Sequence, residues 1–137
     1  MNIAQELERI QQTVTSWDEV QAAPHRFGGV EFQVGNVEVG HVHRNGMIDI
    51  PFTRKIRAAL LEEHLAEPHH LLPDTGWISY YLGRTGDTDK AISLFRLSYL
   101  QKRRRRINGL DDAIAQLDIP ARVKDEAFGA MEEIAED

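Results

Sequence analysis

VEFQVGNVEVGHVHRNGMIDIPF, residues 30–52, alternates apolar and polar side chains, and the dipeptides Gly35-Asn36 and Asn45-Gly46 interrupt the pattern. A period of two places every second side chain on one face of a strand. Asn-Gly favours a two-residue hairpin, because a type I′ turn needs positive φ at both central positions. The stretch therefore predicts three antiparallel strands joined by tight turns. Two-residue turns set Phe32 opposite Val39, Val30 opposite His41, His43 opposite Ile48 and His41 opposite Ile50. One face then carries Val30, Phe32, Val34, Val37, Val39, Ile48, Ile50 and Phe52, and the other Glu31, Gln33, Glu38, Arg44 and Asp49. On this register His41 and His43 fall on the apolar face. A slip of one residue would move them to the other.

Outward from this meander the period becomes helical. Ile3, Leu7, Ile10 and Val14 predict an amphipathic helix over 2–15, and PHRFGG (24–29) separates it from the first strand. Thr53 can cap a helix running to about Leu65, with Ile56, Leu60 and Leu61 inward. EPHHLLPDTG (67–76) reads as a loop held by two prolines and a glycine, and WISYYL (77–82) as a further strand. A long helix starts at Asp87 or Thr88 and runs through Arg106 to Asn108-Gly109. Two helical stretches follow, Leu110–Leu117 and about 120–135 with Pro120 in the first turn. The expected fold is α+β: an antiparallel meander sheet covered on one face by helices, with a C-terminal helical tail.

The 137 residues fit one α+β domain over 1–106 and an extension over 107–137. The net charge of −6 is uneven: residues 107–137 hold nine acids and two bases, leaving 1–106 at +1. The tail is expected to fold back so that acids among Asp111, Asp112, Asp118, Asp125 and Glu126 meet Arg103–Arg106. Its apolar residues Ile114, Leu117, Val123, Phe128 and Met131 would cover the domain itself or pair with a second copy as a homodimer. There is no cysteine, hence no disulfide, thiolate zinc site or cysteine nucleophile. No apolar run approaches a membrane span and MNIAQELERI is not a signal peptide, so a cytoplasmic protein without a membrane partner is expected.

GGVEFQVGNVEVGHVH (28–43), IDIPF (48–52), EPHHLLPDTGWISY (67–80) and LFRLSYLQK (94–102) together resemble the small bacterial luciferase-domain family, whose members have no established activity. Flavin-dependent bacterial luciferases are TIM barrels of roughly 250 residues, which this chain cannot form. More loosely, the element order and the GW…SY signature are similar to the MmcQ/YjbR-like proteins. That second resemblance implies a frataxin-like α+β sandwich, sometimes linked to DNA binding.

Three constellations could carry chemistry. His41, His43, His69, His70, Asp74 and Trp77 are the candidate ligand-binding residues, with a histidine donating or accepting a hydrogen bond, Trp77 as a wall and an unidentified small molecule as partner. The same histidines with Asp74 or Asp49 could serve an enzyme as general base and its orienting acid. Arg54, Lys55, Arg57 and Arg103, Arg104, Arg105, Arg106 could bind a phosphate backbone, although a pI near 5.5 argues against nucleic acid as the main partner. No spacing such as HExxH points to a metal, and no glycine-rich phosphate loop points to a nucleotide, so no metal and no cofactor is expected. His41, read as buried and neutral, should have a pKa below the ordinary 6.5.

Overall fold

The computed structural model describes residues 1–136, with side chains through Gly129. Its sheet contains six antiparallel strands: β1 (Val20–His25), β2 (Gly29–Val34), β3 (Val37–Val42), β4 (Met47–Pro51), β5 (Glu67–Pro68) and β6 (Trp77–Tyr81), in the spatial order β1-β2-β3-β4-β6-β5. The helices are α1 (Ile3–Thr15), α2 (Arg54–Glu62), α3 (Leu82–Thr85), α4 (Thr88–Arg103), α5 (Leu110–Gln116) and α6 (Ala121–Glu136). Asn2, Thr53 and Asp87 cap α1, α2 and α4, each side-chain oxygen accepting a backbone N–H three residues on. The fold is the predicted α+β class. Strand β1 was hidden from pattern reading because Ala22, Ala23 and Pro24 carry little strand signal; Pro24 is tolerated because β1 lies on the sheet edge.

Helices α1 and α4 pack against the inner face, where Phe32, Val34, Val39, Val42, Ile48, Ile50, Ile78 and Tyr80 are buried. Phe95 of α4 meets Phe32 edge to face, with ring centroids 5.4 Å apart. Leu110, Leu117, Ile119, Val123 and Phe128 join this same core, and α6 lies against α2. Met131, expected on the tail's apolar face, lies outside the described side chains. The expected ion pairs between tail acids and Arg103–Arg106 do not form among the described residues. Arg103 instead reaches Glu19 (3.0 Å) and the Asp18 carbonyl (2.8 Å), because it shares a helix face with Tyr99, whose hydroxyl donates to that same carbonyl. Asp118 pairs with Lys90 and Arg122 with Glu62.

The register departs from the predicted one at two places. Val34 stands opposite Val37 and Gln33 opposite Glu38, but Phe32 then stands opposite Gly40 and Glu31 opposite His41. Val39 is the extra residue of a β-bulge, so both Val39 and Gly40 face Phe32. Gly40 takes φ +156, and a Cβ there would lie 2.7 Å from the Phe95 ring. The second departure is the Asn45-Gly46 turn, which has three loop residues rather than two. The Gly46 N–H donates to the His43 carbonyl, the His43 N–H to the Met47 carbonyl, and Gly46 at φ +93 forms the bulge that follows a type I turn. The bulge moves His41 and His43 to the outer face. The longer turn keeps Ile48 and Ile50 inside and sets Asp49 directly opposite His41.

Pairing of β3 with β4 covers only His41–Asp49 and Val42–Ile48. Beyond it, the Val39 carbonyl accepts from the Ser98 hydroxyl and the Pro51 carbonyl from Lys102 Nζ, which is 2.8 Å from Ser98 Oγ. Burial pushes the Lys102 ammonium down to about 8, against an opposing pull from Glu38. A lysine whose folded pKa lies below its unfolded value weakens the fold while it is charged, so stability should rise as pH climbs from about 8 toward 10.4. Lys102→Met is expected to remove that rise. Urea titrations of both proteins across the interval check it, and parallel slopes would show that Lys102 does not carry the effect.

Candidate functional site

Asp49 is the centre of the outer face. Its side chain is 1% exposed, yet it sits on the sheet face away from α1 and α4. Oδ1 accepts from the Ser79 hydroxyl at 2.7 Å, across the β4–β6 pair that sets these two residues opposite each other. Around Oδ2 stand the Nε2 atoms of His43 at 2.8 Å, His41 at 3.2 Å, His70 at 3.4 Å and His69 at 3.6 Å. Two of these histidines arrive on β3 and its turn. The other two arrive on the loop after β5, which leaves the sheet edge and crosses back over the outer face.

Strand β1 adds His25, whose ring stacks on His41 with centroids 3.8 Å apart and whose Nδ1 lies 3.2 Å from Glu31 Oε1. Glu38 Oε2 lies 2.6 Å from His41 Nδ1. Trp77 borders the cluster, its ring 5.5 Å from His41 and 5.7 Å from His69.

His41 and His69 are shifted in opposite directions. His41 has a carboxylate at both nitrogens. Burial alone would lower its pKa, but the hydrogen bonds and charges of Asp49 and Glu38 prevail and raise it to about 9. This reverses the lowered value expected from sequence, because that expectation placed His41 among apolar neighbours. The sign of its contribution reverses too: stability from His41 is present below pH 6.5 and is lost as pH rises through about 9. His69 is held low by burial, reinforced by its neighbouring imidazoles and opposed by Asp49. Its Nδ1 accepts from the backbone N–H groups of Leu71 (3.0 Å) and Leu72 (3.1 Å), so its proton is on Nε2, aimed at Asp49. For Asp49, burial would raise the pKa, but the hydrogen bonds from His41, Ser79 and His43 hold it well below the usual carboxylate range.

Of the predicted site residues, His41, His43, His69, His70 and Trp77 come together. Asp74 is exposed in the loop and makes no contact with the histidines among the described hydrogen bonds, so the orienting acid is Asp49. His64, at the end of α2, is exposed and apart from the cluster. Sequence reasoning missed His25, Glu31, Glu38 and Ser79. Gly40 within a strand pattern was the available signal, since such a glycine often marks a bulge. In the basic clusters, Arg57 donates to the Pro73 carbonyl and Arg104 to Gln101, while Arg54, Lys55, Arg105 and Arg106 are exposed. No helix among the described residues is long and apolar enough to cross a membrane.

Residues 36–98 match the family model described as Luciferase domain, in agreement with the resemblance carried by the motifs of that stretch. The span runs from the start of β3 into α4 and includes Asp49, Ser79, Trp77 and four of the five clustered histidines. His25 and Glu31, on β1 and β2, lie before it. No curated protein matches the chain.

Proposed function

We propose that this domain is a ligand-binding module whose site is the outer sheet face over Asp49. The observation that carries the reading is the convergence of four imidazole nitrogens within 3.6 Å of one buried carboxylate oxygen. A carboxylate oxygen accepts about two hydrogen bonds, so four imidazole nitrogens around Asp49 Oδ2 bring more polar groups to that atom than it can accept at once. Such surplus polarity is costly in a fold and concentrates at functional sites. Asp49, Glu38 and Glu31 bring three carboxylates to this face, which favours a cationic or hydrogen-bond-donating ligand. His43 and His70, with side chains 21% and 30% exposed, form its solvent-facing side.

Thermal denaturation of metal-free protein with zinc, tyramine or catechol tests this. At least one probe is expected to raise the midpoint of the native protein by more than about 3 °C, corresponding to ligand well above its Kd. His43→Gln combined with His70→Gln should abolish the rise. Equal shifts in native and variant protein, or none with any probe, would refute binding at this face.

A further inference from the structure

We infer that the His43–Asp49–His70 group is a binding site for one divalent first-row transition metal ion. This rests on the outer face being the ligand site, and it names the ligand. One ring nitrogen of each histidine and one Asp49 oxygen lie within 4.8 Å of each other. The Nε2 atoms are 2.8 Å and 3.4 Å from Asp49 Oδ2. An ion bound at about 2.0–2.1 Å separates neighbouring ligand atoms by about 3.0–3.4 Å, in octahedral or tetrahedral geometry. The three donors therefore stand close to ligand spacing already.

The other imidazoles are excluded by their partners. His69 has its Nδ1 lone pair taken by two backbone amides, which leaves a proton on Nε2 and no lone pair for an ion. It acts through Asp49, as a positioning residue. A second group, His25, His41 and His43, is equally compact but lacks a carboxylate. In it both nitrogens of His41 face carboxylates, and each contact requires a proton on the nitrogen. His43 and His70 carry no such double engagement among the described residues, and both reach solvent, which gives an ion its entry path.

Two imidazoles and one carboxylate suit zinc, iron(II), cobalt(II) or manganese(II), and leave coordination positions open to water or a further molecule.

Zinc titration of the full chain, purified without an affinity tag and stripped with chelator, reads the assignment directly, with cobalt(II) absorption as a second signal. One equivalent is expected to bind with Kd below about 1 µM, and cobalt(II) should give a visible ligand-field band. His70→Ala and His43→Ala should each weaken zinc binding on the order of 100-fold, His69→Ala about 10-fold, and His64→Ala not at all. Circular dichroism of each variant establishes that it is folded. Absence of stoichiometric binding would overturn the metal assignment, as would retention of affinity in folded His70→Ala. If zinc fails while tyramine or catechol still stabilises the native protein through His43 and His70, the ligand face stands and only the metal falls.

Discussion

Gly40→Ala is expected to lower stability by about 3 kcal/mol and the thermal midpoint by roughly 10 °C. The backbone at φ +156 disfavours any side chain, and the new methyl carbon would sit 2.7 Å from Phe95 Cε1, 3.1 Å from the Asp49 carbonyl and 3.1 Å from Ile50 Cγ1. Phe95 and Ile50 are fully buried and Phe95 is wedged against Phe32, so none of these neighbours can retreat cheaply. Relief requires removing the bulge, which would turn His41 and His43 back toward the core and put imidazoles where Val39 and Val42 pack. The substitution should therefore also abolish ligand effects at Asp49. Urea denaturation and zinc titration of the same sample check both parts. A variant as stable as the native protein would show that the bulge does not depend on this glycine.

Asp49→Ala should cost about 3–5 kcal/mol in metal-free protein. It leaves the Ser79 hydroxyl and the inward N–H groups of His43 and His69 facing a buried space with no acceptor, while His41 keeps Glu38. The pH dependence follows from the direction of the Asp49 shift. A carboxyl held below its unfolded value of about 3.9 stabilises the fold above that pH and loses the contribution only as acid protonates it in the folded state. Native and variant stabilities should stay apart from pH 7 to about pH 4 and converge below it. Convergence already at pH 6 would mean that Asp49 is not ionised within the cluster.

The pattern of residues alone revealed much of the fold. Alternation over 30–52 specifies hairpins, because one face must be apolar throughout to meet a core. Capping residues Asn2, Thr53 and Asp87 begin helices where their side chains can take orphan N–H groups, and α4 follows from its long apolar pattern. The site was legible only as a set of residue types. His41, His43, His69, His70 and Trp77 could be selected by chemistry and loop position, but their common focus could not.

The class of fold, the order of most elements and the chemistry available could be read from the residues alone: six histidines, no cysteine, and carboxylates at Asp49 and Asp74. Tertiary structure decided which face the histidines occupy and which acid they share. One extra residue at Val39 reverses the side-chain parity of everything after it, and a turn one residue longer at Asn45-Gly46 restores parity for β4. Neither device has a large local signature. A two-residue and a three-residue turn both use Asn-Gly, and a glycine inside a strand is compatible with a regular ladder. What selects the bulge is long-range packing: Phe95 of α4 fills the space a Cβ at position 40 would take, and Ile48 and Ile50 must still meet that helix layer. Asp49 became the centre of the site through that constraint, since burying its two isoleucine neighbours leaves the carboxylate nowhere to point but toward the histidines.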